Sequence, residues 1–240
     1  MIRFDEIKDV HLEISTRCNA ACPWCPRNFW GFPFNGGYPE CNFTLENAKS
    51  VLRTDFIKQL ESIRINGNFG DIVMNPEGSD IVEYFYSANP TLDVSISTNA
   101  GARKKEFWKR LAFTGCEISF DIDGLEDTHY LYRQHTSWHK VIENAKTFIE
   151  HGGNAIWKMI EFRHNKHQID DCEALSQELG FFKFNLVKSE RNTAPVFDKN
   201  GELTHVLGNY DGETSFDKLF SSKKTDEVLL EDIILDRTPA

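Results

Sequence analysis

Val10-His11-Leu12-Glu13-Ile14-Ser15-Thr16-Arg17-Cys18-Asn19-Ala20-Ala21-Cys22-Pro23-Trp24-Cys25-Pro26-Arg27 decides the fold. An alternating apolar run, the pattern of a strand, leads into a loop with three cysteines at C-x3-C-x2-C spacing. Three thiolates can hold three irons of a cubane [4Fe–4S] cluster and leave the fourth iron without a protein ligand. An open metal position is where a small molecule can bind and react. The same cysteines could instead build a structural zinc knuckle, with Cys41 or His11 as the fourth ligand. Structural zinc sites usually come as two C-x2-C-like pairs, and no second pair follows here. A disulfide framework fits less well, because a 240-residue chain with six cysteines and no secretory signal does not need one.

Around that stretch the composition is ordinary for a globular protein, with 40% hydrophobic residues and enough length for one large domain with a full core. The 27 basic and 37 acidic residues leave a formal charge of −10, which disfavours non-specific binding to nucleic acid or anionic membranes. No apolar run approaches the roughly 18 residues that would span a bilayer. Met1-Ile2-Arg3-Phe4-Asp5-Glu6 lacks the basic-then-apolar order of a signal peptide. A cytoplasmic, reducing location is the expectation, and it suits an oxygen-sensitive cluster.

Onward along the chain, short apolar runs alternate with helical patterns, the signature of β/α units and a largely parallel sheet. Strands are expected at Val10–Ile14, Ser62–Asn66, Leu92–Ser97, Cys116–Ile122, Ala155–Phe162 and Phe181–Val187. Helices are expected over 44–60 (N-capped by Thr44 and broken near Thr54-Asp55), 79–88, 104–113, 138–151 and 170–179. Asn28 to Gly37, aromatic and glycine-rich, reads as a loop packing over the cysteines. Six units make an α/β fold, a partial (β/α)6 barrel of the TIM type. In parallel α/β architectures sites form at the C-terminal ends of strands, and every motif singled out here lies at such an end.

With an aromatic, Trp24, before its last cysteine, the loop resembles the signature of the radical S-adenosylmethionine (SAM) superfamily. The resemblance covers about residues 8–190, is strongest over 10–27, and implies the same partial barrel. It also implies that the amino and carboxylate groups of SAM chelate the free iron of a [4Fe–4S] cluster held by Cys18, Cys22 and Cys25. Gly67-Asn68-Phe69-Gly70-Asp71 is similar to the family's Gly-Gly-Glu segment, with Gly70 as the second glycine and Asp71 in place of the glutamate that meets the SAM ammonium. Phe69 replaces the first glycine. Ser97-Thr98-Asn99-Ala100-Gly101 resembles a Thr-Asn-Gly segment, and Asn99 would bond the SAM ribose or cap the next helix. Phe120-Asp121-Ile122-Asp123-Gly124 resembles a Ser-x-Asp-Gly segment in which Asp121 would accept from the ribose and Asp123-Gly124 fix the turn. Arg133, nine residues on, would pair with the SAM carboxylate, and Trp24 would pack near cluster and adenine. His129 and His135 flank that arginine without a ligand role.

The resemblance implies reductive cleavage of SAM, a 5′-deoxyadenosyl radical, and hydrogen abstraction from a peptide or small-molecule substrate. A reductant such as flavodoxin or ferredoxin is implied as a partner. Glu161, Asn165, Lys188, Glu190 and Arg191 lie at the ends of the last two strands, where charged residues are more often solvated than in contact with substrate. Lys104-Lys105 and Lys109-Arg110 read as the outer face of a helix. Many relatives carry a cysteine-rich SPASM extension, whereas Cys41, Cys116 and Cys172 are scattered here. Residues 1–190 are therefore expected to form the radical SAM core. Residues 191–240 read as a loose segment with one helix near Ser215 to Leu230, either the end of a minimal enzyme or the start of a missing extension. The competing reading is a zinc-stabilised binding module using Cys18, Cys22, Cys25 and Cys41.

Overall fold

A computed structural model describes residues 3–33, 39–188 and 194–208. The elements in chain order are β1 (Asp9–His11), the hairpin β2 (Asn28–Phe29) and β3 (Phe32–Pro33), α1 (Leu45–Val51), α2 (Thr54–Gln59), β4 (Ser62–Asn66) and α3 (Gly78–Ala88). Then come β5 (Asp93–Thr98), α4 (Lys105–Thr114), β6 (Glu117–Asp121), α5 (Glu126–Tyr132), α6 (Trp138–Glu150), β7 (Asn154–Glu161), α7 (Ile169–Glu178) and β8 (Lys183–Lys188). A second hairpin, β9 (Ala194–Phe197) with β10 (Leu203–Leu207), ends the described chain.

Six strands form one all-parallel sheet in the order β1-β4-β5-β6-β7-β8, so each unit lies beside its predecessor. This is the α/β partial barrel that the alternating patterns require. Alternation along each strand sorts the two faces. Ile63, Ile65, Val94, Ile96, Ile118, Phe120, Trp157 and Met159 are buried in the main core with the helices, against residues such as Phe85, Trp108 and Phe148. Residues of the other parity, Asn66, Ser97, Asp121, Lys158 and Ile160, line a cavity instead. Polar side chains on that face need no burial because it is open. Local signals set the helix ends as read: Thr44 and Asn47 form a reciprocal capping box at α1, and α4 stops at Gly115 in the left-handed region (φ 89°).

Several readings change. Regular pairing of β1 stops at His11 rather than Ile14, because the chain turns into the cysteine loop and Ser15 bridges Asn42 instead. Residues 28–33 are a hairpin, not a loop; residues 34–37 of that segment lie outside the described residues. Helix α5 was not expected, since seven residues give little periodicity. Residues 194–208 are not loose: β9 is buried along its length, and the hairpin packs on the cysteine loop through Val196 of β9 and Leu207 of β10. Trp30 joins the two hairpins, its carbonyl accepting from Phe197 N at 2.9 Å and its ring stacking on Phe197. The helix expected near Ser215 to Leu230, and Glu190 and Arg191, lie outside the described residues.

Candidate active site

The cysteine loop leaves β1 and closes one side of a cavity of about 330 Å³ at the C-terminal ends of the strands. Its wall holds Cys18, Cys22, Cys25 and Trp24 together with Gly70, Asp71, Asn99, Asp121 and Arg133, the residues that the strand-end motifs single out. They come together because parallel strands deliver their ends to one rim. The three thiols are unpaired. Donors surround them: Ala20 N lies 3.4 Å and Asn99 Nδ2 3.5 Å from Cys18 Sγ, and Arg133 Nη1 lies 3.8 Å from Cys22 Sγ. Burial pushes the Cys22 thiol up to about 11 against the pull of Arg133, and burial with nearby Asp71 pushes Cys18 higher still. Buried thiols of this kind ionise when a metal supplies the compensating charge.

Gly70 seats the second strand end on the cysteine loop. A Cβ there would fall on the Ser15 carbonyl oxygen, so only glycine allows the approach, and Asp71 N then donates to Arg17 O at 2.8 Å. Asp71 is 6% exposed and has four neutral donors. Oδ1 accepts from Thr98 Oγ1 (2.6 Å) and Val73 N (3.0 Å), and Oδ2 from Asn99 N (2.8 Å) and Asn99 Nδ2 (2.7 Å). Burial outweighs these bonds and raises the carboxyl to about 6. Asp71 thus ties the second strand end to the third. Asn99 reaches on to Asn19 Oδ1 at 3.1 Å and takes Gly101 N on its own Oδ1 at 2.8 Å, a local turn and not the helix cap read as its alternative role, since α4 begins after Lys104. Ala100 accepts φ 52° and is pinned by Asn144 Nδ2 on its carbonyl at 2.8 Å.

Across the cavity the cation is fixed by carboxylates. Arg133 Nε donates to Asp123 Oδ2 at 2.5 Å, and its Nη2 lies 3.3 Å from Asp121 Oδ2. Burial opposes the charge, but Asp123 and Asp121 hold the guanidinium well above its usual pKa. With Nε engaged, the Nη edge is the part of the fork that faces Cys22. Asp123 is fully buried and also accepts Ile160 N on Oδ1 at 2.6 Å, so it fixes both the turn and the arginine. Below it His129 is buried as a neutral ring: Nδ1 accepts from Asp123 N at 3.2 Å, which leaves the proton on Nε2 facing Thr136 Oγ1 at 3.0 Å. Burial lowers this histidine to about 3.

The motifs missed several wall residues, Lys158 and Tyr132 among them. Lys158, on β7, brings Nζ to 3.1 Å from Asp121 Oδ1 without hydrogen-bond alignment. Tyr132 sits beside Trp24 (centroids 6.0 Å apart), and Trp24 stacks on Phe162 at 5.6 Å and 7°. Strand parity was the signal for Lys158, since it alternates with buried Trp157 and Met159. Nothing in the sequence marked Phe162. Asn165 does not reach the cavity; it is fully buried and binds the Ile160 and Asp123 carbonyls. Cys41 is exposed beside Thr16 and is no part of the wall. Among the described residues no three His, Cys, Asp or Glu side chains converge closely enough for a single metal ion. Cys18, Cys22 and Cys25 line the cavity without Cys41, the fourth ligand a zinc knuckle would need, and three thiolates are the set that can hold a cubane cluster with one iron open.

No family model matches the chain. It is 25% identical over 172 residues to the FeMo cofactor biosynthesis protein NifB of Methanocaldococcus jannaschii, covering 64% of this chain and 54% of that protein. Among solved structures it is similar to Streptococcus suis SuiB bound to S-adenosylmethionine (TM-score 0.64, 16% identity, 96% of this chain and 48% of SuiB). It is also similar to anSMEcpe with bound AdoMet (TM-score 0.58, 12% identity, 76% and 51%). The chain thus spans about half the length of these three proteins. The C-x3-C-x2-C loop at the end of the first strand of a six-stranded parallel sheet, with these likenesses, agrees with the resemblance to the radical SAM superfamily read from the sequence, and the fold is the one that resemblance implies.

Proposed function

We propose that this chain is a radical SAM enzyme that binds a [4Fe–4S] cluster on Cys18, Cys22 and Cys25 and cleaves S-adenosylmethionine reductively. The observation that carries the reading is the convergence of three unpaired thiols, with hydrogen-bond donors beside two of them, on one wall of a polar cavity. Held there by Cys18, Cys22 and Cys25, the cluster would supply the electron for reductive cleavage of the 5′-carbon–sulfur bond of S-adenosylmethionine. The chain's own residues orient and shield. Arg133, steered by Asp123, presents two Nη groups to a carboxylate. Asp71 orders the backbone where an ammonium would lie, and Asn99 and Asp121 offer polar atoms to a ribose. Trp24, stacked on Phe162, and the β9–β10 hairpin keep water from the cysteine side.

SuiB has been solved with the precursor peptide SuiA and anSMEcpe with the Cp18Cys peptide. A peptide substrate is therefore the reading favoured here, with electrons from flavodoxin or ferredoxin. Residues 1–190 would be the catalytic core, with 191–240 closing it or leading on from it. No helix among the described residues is long and apolar enough to cross a membrane, and exposed or cavity-facing thiols suit a reducing cytoplasm.

Anaerobic reconstitution with iron and sulfide, then dithionite and SAM, tests the reading through 5′-deoxyadenosine. Brown protein, SAM cleavage, loss of both in Cys22→Ala and retention in Cys41→Ala are expected. A colourless protein carrying one zinc, sensitive to Cys41→Ala, would sink it.

A further inference from the structure

Two carboxylates and two cations meet on the β6–β7 wall of the cavity, and the bonding among them is uneven. Arg133 is committed through Nε to Asp123 at 2.5 Å. Its Nη2 lies 3.3 Å from Asp121 Oδ2, whereas a charge-assisted bond to a carboxylate closes to about 2.9 Å or less. Asp121 Oδ1 is buried and accepts no hydrogen bond among the described residues, although Lys158 Nζ stands 3.1 Å away. Asp121 is therefore compensated in charge and unmet in hydrogen bonding. A carboxylate in that state draws any donor able to turn toward it.

Lys158 is held in place by its strand. It lies directly across from Asp121 in the parallel register, between Trp157 and Met159, which are fully buried on the other face. Trp157 Nε1 donates to Ile122 O at 3.0 Å, and Ile122 N donates to Lys158 O at 2.9 Å, so β6 and β7 are tied together at this level. Arg133 is less constrained. It follows the last turn of α5, and its Nη edge makes loose contacts, 3.8 Å to Cys22 Sγ and 5.1 Å from the guanidinium carbon to the Tyr132 ring centre. We propose that Lys158 is a positioning residue: by compensating Asp121 it keeps Arg133 from closing on that carboxylate, and so leaves the Nη edge open to the cavity. The inference rests on the reading above, in which this edge meets the carboxylate of SAM, and adds what keeps the edge available. Without Lys158 one guanidinium must serve two buried carboxylates. Nη2 then shortens onto Asp121, the fork is used up inside the wall, and an incoming carboxylate loses its partner.

The test starts on the full chain without cluster, where nitrogen-15 NMR of labelled arginine follows rotation about the Arg133 Cζ–Nη2 bond. Lys158→Met is expected to slow that rotation by about tenfold, the worth of one new charge-assisted bond. Lys158→Met/Asp121→Asn removes the carboxylate that captures Nη2 and is expected to restore the wild-type rate. Calorimetry on reconstituted holoenzyme then compares SAM with 5′-methylthioadenosine, which keeps the nucleoside and lacks the amino-acid part. Lys158→Met is expected to weaken SAM by about tenfold and 5′-methylthioadenosine by less than about threefold. Lys158→Arg, which keeps the charge, recovers most of the SAM affinity. Unchanged Arg133 rotation in Lys158→Met overturns the proposal, as does rotation that stays slow in the double variant, or equal loss for the two ligands. Failure of the cluster reading shows separately, as reconstituted wild-type protein without a cluster absorbance band, and leaves the arginine comparison intact.

Discussion

On the β4–β5 side of the cavity, Asp71 is buried with no ion pair among the described residues and is satisfied by a hydroxyl, an amide side chain and two backbone N–H groups. On the β6–β7 side, Asp123 is buried just as deeply and is satisfied by the guanidinium of Arg133 and one backbone N–H. The two walls frame the same three cysteines with opposite chemistry. Neutral donors fix geometry without adding charge, which leaves that wall anionic where an ammonium is expected. The paired wall uses its carboxylates to hold a cation, and so presents positive Nη groups beside Cys22. Under the proposed function, this polarity would orient the two ends of the amino-acid part of SAM.

The largest effect that separates the walls should come from Arg133→Met. Removing one partner of a buried pair leaves a charge uncompensated, which costs about 3–5 kcal/mol. Urea unfolding of the apoprotein is expected to show a loss of that size, with part of it recovered in Arg133→Met/Asp123→Asn. A loss under about 1 kcal/mol would mean that Asp123 does not depend on the arginine, and the contrast would collapse.

Asp71→Asn probes the other wall with a nearly isosteric change. All four contacts to Asp71 are donors, so an amide NH2 must face two of them. Unmet buried donors cost about 1–3 kcal/mol, and a loss in that range is expected at pH 7. Full stability in this variant would show that the neutral bonds are dispensable.

Much of this arrangement was legible in the sequence. Strand-end motifs can be read because a parallel sheet brings sequence-distant ends to one rim; Gly70-Asp71, Asn99, Asp121 and Arg133 all reached the cavity for that reason. Partner choice could not be read. Whether Arg133 turns to a ligand or to Asp123 depends on the fold of α5, a helix too short to show a period, and Asp71 reads as a free anion until Thr98 and Asn99 close on it. Lys158 was hidden in a strand that otherwise looked like core. The β9–β10 hairpin was hidden too, because its burial comes from the cysteine loop and not from a pattern of its own.

The walls should also answer to acid with opposite sign, which sharpens the contrast without disturbing the fold at neutral pH. Asp71 has a raised folded pKa, about 6 against an ordinary value of 3.8. Its contribution is fully present below the unfolded value and is lost as pH rises through about 6. His129 has a lowered folded pKa, about 3 against 6.5. Its contribution is present above 6.5 and is lost as pH falls toward 3. Between pH 7 and pH 4 the stability gap between wild type and Asp71→Asn is expected to widen, while the gap to His129→Asn narrows. Urea midpoints of the three apoproteins across that range check both signs, and parallel curves would remove the electrostatic distinction.

The smallest effect belongs to Lys158. Its side chain is 29% exposed and its ammonium meets Asp121 without good alignment, so the pair resembles a surface ion pair worth about 0–1 kcal/mol. Lys158→Met is expected to shift the urea midpoint by no more than that allows. Asp121 would then answer to Arg133 alone, 3.3 Å away, and the cavity would lose one of its positive groups. A cost near that of Arg133→Met would place Lys158 inside the paired wall as a second buried counter-ion. The expected small cost leaves it free to meet whatever enters the cavity.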